Sequence, residues 1–409
     1  MMNIKEDVLV EARQEHDISV LDRVPKGNSH NPISLDKRIE WFNQRFNFEL
    51  NALRTHPIDP RRLRGVIENF IGAVHIPIGL AGPLQINGEL ANGVFFAPFA
   101  TVEGVITLSA SRGARVINES GGIRVKVLKR QMLRAPVFKF TNLDQCEVFI
   151  AWVKENYKTI ETECNKLSRH GYLISIQETI IGNEVHLKFC YCTGDAAGQN
   201  MVTVMTDNGC IWIRDEFEKQ TGIPIRFYSV EGNLSGDKKF SFANFSDARG
   251  ARVFTEVFLK KDAIESIFDC SIEKFMFEVN AGNAGNLAAG TPGGLSVNSA
   301  NVMAALYAAT GQDLGCMYES SAQQIYCEAT PEGIYWSSTF PCIVTGTVSS
   351  AQRLPAQNEC LEILGCTGER SAEKLAEIIA CFCVALDIST LASVANDTFS
   401  SAHRIFGRG

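Results

Sequence analysis

Between Pro136 and Val230 the hydrophobic period switches back and forth between two and 3.6, a sequence of changes that few folds accommodate. Pro136 to Thr141 reads as a strand. Asp144 to Arg169 carries Phe149, Trp152, Val153, Tyr157, Ile160, Cys164 and Leu167 at helical spacing. Tyr172 to Ile181 and Val185 to Cys192 are strand-like and flank a Gly182-Asn183 turn. Ala196 to Gln220 is largely helical, with an interruption expected at Asn208-Gly209, and Ile225 to Val230 is a last strand. Strand, helix, strand, strand, helix, strand is the ferredoxin-like pattern. We place it as a small domain, residues 136–229, inserted into a larger one.

The flanking chain reads as more helical. Residues 1–60 form an arm, with Ser34 as the N-cap of a helix from Leu35 to about Phe48. Residues 61–135 and 230–395 make the large domain, and 396–409 a tail. Arg61 to Leu84 is punctuated by Gly and Pro, which predicts short strands and turns. Ala100 to Gly122 places Glu103 just ahead of a helical apolar pattern, with Gly113 open to close backbone approach and Gly121-Gly122 as its stop. Val253 to Phe268 reads as a helical run ending at Asp269. A Gly/Asn/Ala-rich stretch follows at 280–301, then a helix from Asn301 to Gly311, a strand at Cys342 to Val348, and a long apolar helix from Ala372 to Leu391. The fold class is α+β: a large helical domain with the βαββαβ unit inserted.

A chain of 409 residues exceeds one ordinary core, hence the division into domains. A net charge of -7 argues against nucleic-acid binding. No uninterrupted apolar run approaches the roughly 18 residues of a membrane span, and the N-terminus lacks a signal-peptide pattern. The 13 cysteines are scattered without a CxxC pair, which fits reduced thiols in a cytoplasmic protein better than disulfides or a metal site.

Four places carry candidate chemistry: Glu103, the Asp237-Lys238-Lys239 triplet, Asp313 and His403. The polar pair Glu68-Asn69 is a fifth, amid apolar residues. Singly, each has a structural explanation: a charge at a helix start, a solvated turn, a helix stop, a surface histidine. Spacing alone does not bring them together.

Longer motifs do. ENFIGAVHIPIGLAGPL, ATVEGVITLSASRG, TGDAAGQNMV, DKK, GQD and AHRIFGR resemble, in this order, the motifs of the 3-hydroxy-3-methylglutaryl-coenzyme A (HMG-CoA) reductase family. The resemblance runs from about residue 35 to the C-terminus. It is closest to class I, in the short soluble form without a membrane anchor. It implies an oxidoreductase of the mevalonate pathway that reduces a thioester to an alcohol with two hydrides from NADPH and releases coenzyme A. It implies a homodimer or larger assembly with active sites between subunits.

Lys238 then matches the lysine that stabilises the oxyanion. Glu103 matches the acid that protonates the aldehyde oxygen, its pKa raised by crowding from Asp313. Asp313 matches the carboxylate that ties Lys238 and Glu103 together, and His403 the acid that protonates departing thiolate. Glu68 and Asn69 lie in a segment whose counterpart crosses the subunit boundary. Arg134, Asp237, Lys239 and Asn301 match substrate-pocket positions, and Ser109 and Arg112 positions near coenzyme A. Asn183, Asp195, Gln199, Asn200, Met201, Val348 and Ser349 match the cofactor region.

The pockets depart from the family. Its DAMGMNM is Asp195-Ala196-Ala197-Gly198-Gln199-Asn200-Met201 here, and its TVGGGT is Thr347-Val348-Ser349-Ser350-Ala351-Gln352. The usual cation for the 2′-phosphate of NADPH is Asn183, followed by Glu184, which suits NADH as well. Lys188 is a cation that could reach the phosphate instead. Glu231 replaces a serine that meets the substrate's terminal carboxylate, and a lysine expected between Glu278 and Gly290 is absent. Asn298 and Thr398 stand where the family has histidines. Three readings stand open: an HMG-CoA reductase, a paralogous reductase of another acyl thioester, and a non-reducing thioester-binding homologue.

Overall fold

The computed structural model describes residues 24–291, 296–348, 354–400 and 404. Residues 24–76, with 354–356, form one compact unit, and the chain from Pro77 onward forms another.

The first unit holds helix α1 (Pro32–Phe46). Its N-cap is Asn31, whose side chain accepts the Ser34 N–H at 2.9 Å. Ser34 was expected to cap this helix; a Pro at N1 moves the start forward, and Ser34 is already inside. Asn47, in the left-handed region, closes it before Phe48. Buried Arg38 binds the carbonyls of Lys26, Ser29 and Phe70, which closes the unit around the helix. Glu68 and Asn69 are exposed on it, the latter donating its N–H to Gly27.

The second unit begins with a hairpin, β1 (Ile78–Gly88) and β2 (Asn92–Ala100). Helix α2 (Ile106–Glu119) follows, then β3 (Ile123–Arg134), which runs parallel to the end of β1. The inserted module then appears in the expected order: β4 (Val137–Lys139), α3 (Leu143–Glu155), α4 (Tyr157–Asn165), β5 (Tyr172–Ile181), β6 (Glu184–Cys192), α5 (Gln199–Thr221) and β7 (Phe227–Ser229). Its antiparallel sheet runs β7-β4-β6-β5. Phe138, Phe140, Phe149, Trp152 and Phe217 form its core, with ring centroids 4.9–5.8 Å apart. The single helix expected over 144–169 is two, broken at Asn156. The interruption expected at Asn208-Gly209 is absent: Gly209 sits against the Cys164 sulfur, so helix packing, not chain flexibility, explains the glycine.

Beyond the insertion come α6 (Phe242–Asp247), β8 (Gly250–Lys260), α7 (Lys261–Phe268), α8 (Ile272–Ala288) and α9 (Ser299–Thr310). Then follow α10 (Met317–Ser320), β9 (Gln324–Thr330), β10 (Gly333–Ile343), α11 (Pro355–Ile363) and α12 (Ser371–Ala395). Two expectations fail here. Residues 253–260 belong to a strand, with Ala251, Val253, Thr255, Val257 and Leu259 inward, so only 261–268 is helical. The strand expected at Cys342–Val348 lies earlier, as β10, and ends at Ile343. Small residues 280–288 lie in α8.

Strand β3 belongs to two sheets. Arg124 to Gln131 pairs with β8, and Met132 to Arg134 pairs with β6 of the inserted module. Behind the large sheet lies α12, almost wholly buried. Helix α2 crosses it so closely that a Cβ on Gly113 would lie 1.7 Å from the Ala385 carbonyl oxygen. Among the described residues α12 alone is long and apolar enough to cross a membrane, and 83% of its most apolar stretch is buried within the protein. All cysteines except Cys192 and Cys327 are buried, and none is bridged.

Candidate active site

The Lys238 ammonium lies 2.8 Å from Asp313 Oδ2, with both side chains part-exposed. Asp313 caps the turn after α9, accepting the Gly315 N–H, so its carboxylate is fixed by local backbone. The hydrogen bond to Asp313 raises the Lys238 pKa, partly offset by burial, so the amine stays charged through neutrality. Lys238 itself has φ 55°, a left-handed backbone held from below. Its N–H donates to buried Glu319, and Glu319 is paired with Arg249, which also binds Asp237. Burial raises the Glu319 pKa in spite of Arg249. Neither Arg249 nor Glu319 was singled out from sequence, because nothing local in ARG or YES marks a long-range ion pair.

The charge chain continues outward. Arg134, at the end of β3, is 3.6 Å from Asp237 and 2.9 Å from Glu231. Glu231 also accepts the Asn233 N–H, and Lys239 reaches the Asn233 side chain. Glu231 is therefore not a free repelling anion, as expected from sequence; it is paired with Arg134, whose Nε stays buried without a hydrogen-bond partner.

A second group lies around Glu103. With Ser109, Asn298, Asn301, Thr390 and Ser393, it lines a small cavity of about 70 Å³. Ser109 and Arg112 are held to α12: Ser109 by Ser389 Oγ at 2.9 Å, Arg112 by Ser389 and Ser393. Glu103 and Asp313 do not meet. Among the described residues no hydrogen bond or ion pair joins Glu103 to Asp313 or Lys238. Asn298 and Asn301 are at the start of α9 while Asp313 follows its end, and a 12-residue helix is about 18 Å long. The expected network of Glu103, Asp313 and Lys238 is thus not closed within one chain. His403 and Ser349 lie outside the described residues.

Of the described cofactor candidates, Asp195, Gln199, Asn200, Met201 and Val348 lie at or beside the head of α5, and Asn183 lies apart in the β5–β6 turn. Gly198, left-handed, leaves this 23-residue helix without a side-chain cap, so its first N–H groups have no partner within the helix. Gly346 is pressed against Ala197, where a Cβ would meet the Ala197 nitrogen at 2.5 Å, and Thr347 donates to the Asp195 carbonyl. Val348 follows, part-exposed. Such a head suits a pyrophosphate. Gln199 links this region to the lysine: its side chain donates to Cys316, beside Asp313, and its carbonyl accepts from Arg134. Asn200 is exposed, and Met201 packs beneath Gly171. Asp195 does structural work, accepting the N–H groups of Arg370 and Ala372 at the start of α12. Asn183 binds the Phe140 carbonyl, Glu184 pairs with Lys139 at 2.9 Å, and Lys188 is tied to Asp247. Lys188 is therefore not free for a 2′-phosphate, and Glu184 carries less repulsion than its sequence position implies.

The sequence and the fold match known proteins. The hydroxymethylglutaryl-coenzyme A reductase family model matches residues 34–408. The 3-hydroxy-3-methylglutaryl-coenzyme A reductase of Methanocaldococcus jannaschii is 35% identical over 378 residues, 92% of this chain and 93% of that protein. That of Pyrococcus abyssi is 34% identical over the full length of both. A class II reductase from Streptococcus pneumoniae, solved bound to NADPH, superposes with a TM-score of 0.65 at 16% identity, covering 88% of this chain and 96% of that one. This chain belongs to the hydroxymethylglutaryl-coenzyme A reductase family.

Proposed function

We propose that this protein reduces HMG-CoA to mevalonate with two equivalents of NADPH and releases coenzyme A. The observation that carries the reading is the Lys238–Asp313 pair beside the open head of α5, in a chain with full-length relatives of that name. The bound nicotinamide supplies the hydrides. Lys238 stabilises the oxyanion that develops on the thioester carbonyl oxygen, a role for which a charged, part-desolvated ammonium is suited. His403 gives its proton to the departing thiolate sulfur, and Glu103 protonates the oxygen of the aldehyde in the second reduction. The test is oxidation of NADPH over a panel of acyl-coenzyme A thioesters. Lys238→Ala should lower turnover on HMG-CoA by about 10²-fold or more. Near wild-type turnover in that variant would remove the mechanism.

A second reading, a reductase of an acyl thioester lacking the terminal carboxylate, is favoured by one observation: Arg134 is already paired with Glu231. Faster turnover of such a thioester than of HMG-CoA would select it. For the nucleotide, Asn183 and the Lys139-paired Glu184 offer no free cation to a 2′-phosphate, so discrimination between NADPH and NADH should be weak. A hundredfold preference for NADPH in kcat/KM would overturn that. The assembly we propose is a homodimer or larger, with Glu103 of one copy completing the Lys238–Asp313 site of another.

A further inference from the structure

Asp387, in the middle of α12, is fully buried, and the chemistry above makes no use of it. Its Oδ1 accepts the backbone N–H of Asn298 at 2.8 Å. The Gln323 side chain lies against the same carboxyl. Asp387 Oδ2 and Gln323 Oε1 are both buried without a hydrogen-bond partner. Asn298 also donates from Nδ2 to Thr390 Oγ1 at 2.6 Å, one turn along α12. The turn leading into α9 thus hangs on α12 through Asp387. That turn faces two cavities: Asn298 lines the one containing Glu103, while Ser296 and Val297 line a second, of about 250 Å³, with Trp336 and Leu391.

Two unsatisfied oxygens on neighbouring side chains can be satisfied in two ways. A proton on Asp387 Oδ2 can be donated to Gln323 Oε1. Alternatively the carboxylate is ionised and the Gln323 amide turns over, its nitrogen toward Asp387 and its oxygen toward the Ser338 hydroxyl, to which the nitrogen now donates. We propose that Asp387 is a positioning residue: its protonation state sets the Asn298 turn, and thereby the affinity of the Glu103 cavity for an acyl-coenzyme A thioester. The proposal rests on the substrate reading above.

Burial pushes the Asp387 carboxyl up to about 7, against the opposing bond from Asn298. The neighbouring groups are silent in this range or lie across the cavity. Cys383 on α12 and Tyr307 on α9 are both driven well above their usual values by burial. Arg112 of α2, bound to Ser389 and Ser393, stays charged. Glu103 faces the cavity from the other side.

The experiment is calorimetric binding of HMG-CoA to the full-length protein at pH 6 and pH 8, with carboxyl-carbon NMR of Asp387. The ionised carboxylate makes a charge-assisted bond to Asn298, so wild type should bind about tenfold more tightly at pH 8. Asp387→Asn, which mimics the protonated acid, should show the weaker affinity at both. Parallel pH dependence in wild type and variant overturns the proposal. So does an Asp387 carbon in wild type that does not titrate between pH 6 and 8, a result that does not require the variant to fold. A titrating Asp387 in a protein that binds no thioester at either pH overturns the substrate reading, and the ligand assigned here with it.

Discussion

In the reading proposed above, Glu231 holds the cation that a substrate carboxylate would meet. Its bond to Arg134 at 2.9 Å, between side chains 20% and 9% exposed, is a built-in competitor for any second carboxylate on the acyl group. Glu231→Ser removes that competitor and restores the family's residue. A hydrogen bond to a charged group is worth about 1.5–3 kcal/mol, so KM for HMG-CoA should fall roughly tenfold or more. An unchanged or higher KM would show that the substrate does not meet Arg134. Sequence made Glu231 suspect because it stands, six residues before Asp237, where the family it resembles has a serine. It could not show that the pair closes on itself, because Arg134 and Glu231 are 97 positions apart and join only where β3 meets β6. Asp387 was invisible for a related reason: one acid in an apolar helix looks the same whether it is solvated or buried.

At the scale of elements, the pattern of the inserted module was legible because each strand and helix there has a clean period. The large domain was less so. Val253 to Phe268 joins a strand to a helix with no glycine or proline between them, and Lys260-Lys261 marks the join only weakly. Strand β9 was missed because its polar, mixed composition becomes a strand only through pairing with β10. Gly113 was read correctly as a point of close approach, and the structure shows what approaches. Gly113→Ala forces the Ala385 carbonyl aside and should destabilise the protein by about 1–3 kcal/mol, the usual range for overpacking. Thermal unfolding measures this; a variant as stable as wild type would mean that α2 and α12 can separate at little cost.

For the whole molecule, the separation of the Glu103 group from the Lys238–Asp313 group is what the proposed assembly would account for. Glu103→Gln and Lys238→Ala should each lose most of the full turnover of thioester to alcohol, but the two mixed under conditions that exchange subunits should recover it. With random assortment into dimers, each mixed dimer has one intact site, giving roughly a quarter of wild-type turnover. No recovery, despite exchange shown by mass labelling, would place all catalytic groups in one copy. Strand β3 has a mechanical consequence. One continuous strand belongs to both sheets, so it acts as a beam that carries load between the inserted module and the large sheet, and Arg134 sits at its tip. A beam bends or breaks as a unit. Backbone amides of Arg124 to Arg134 that are engaged in pairing should therefore exchange with deuterium at one slow rate. Fast exchange beyond Gln131 alone would reveal a fracture point, and with it a module free to swing.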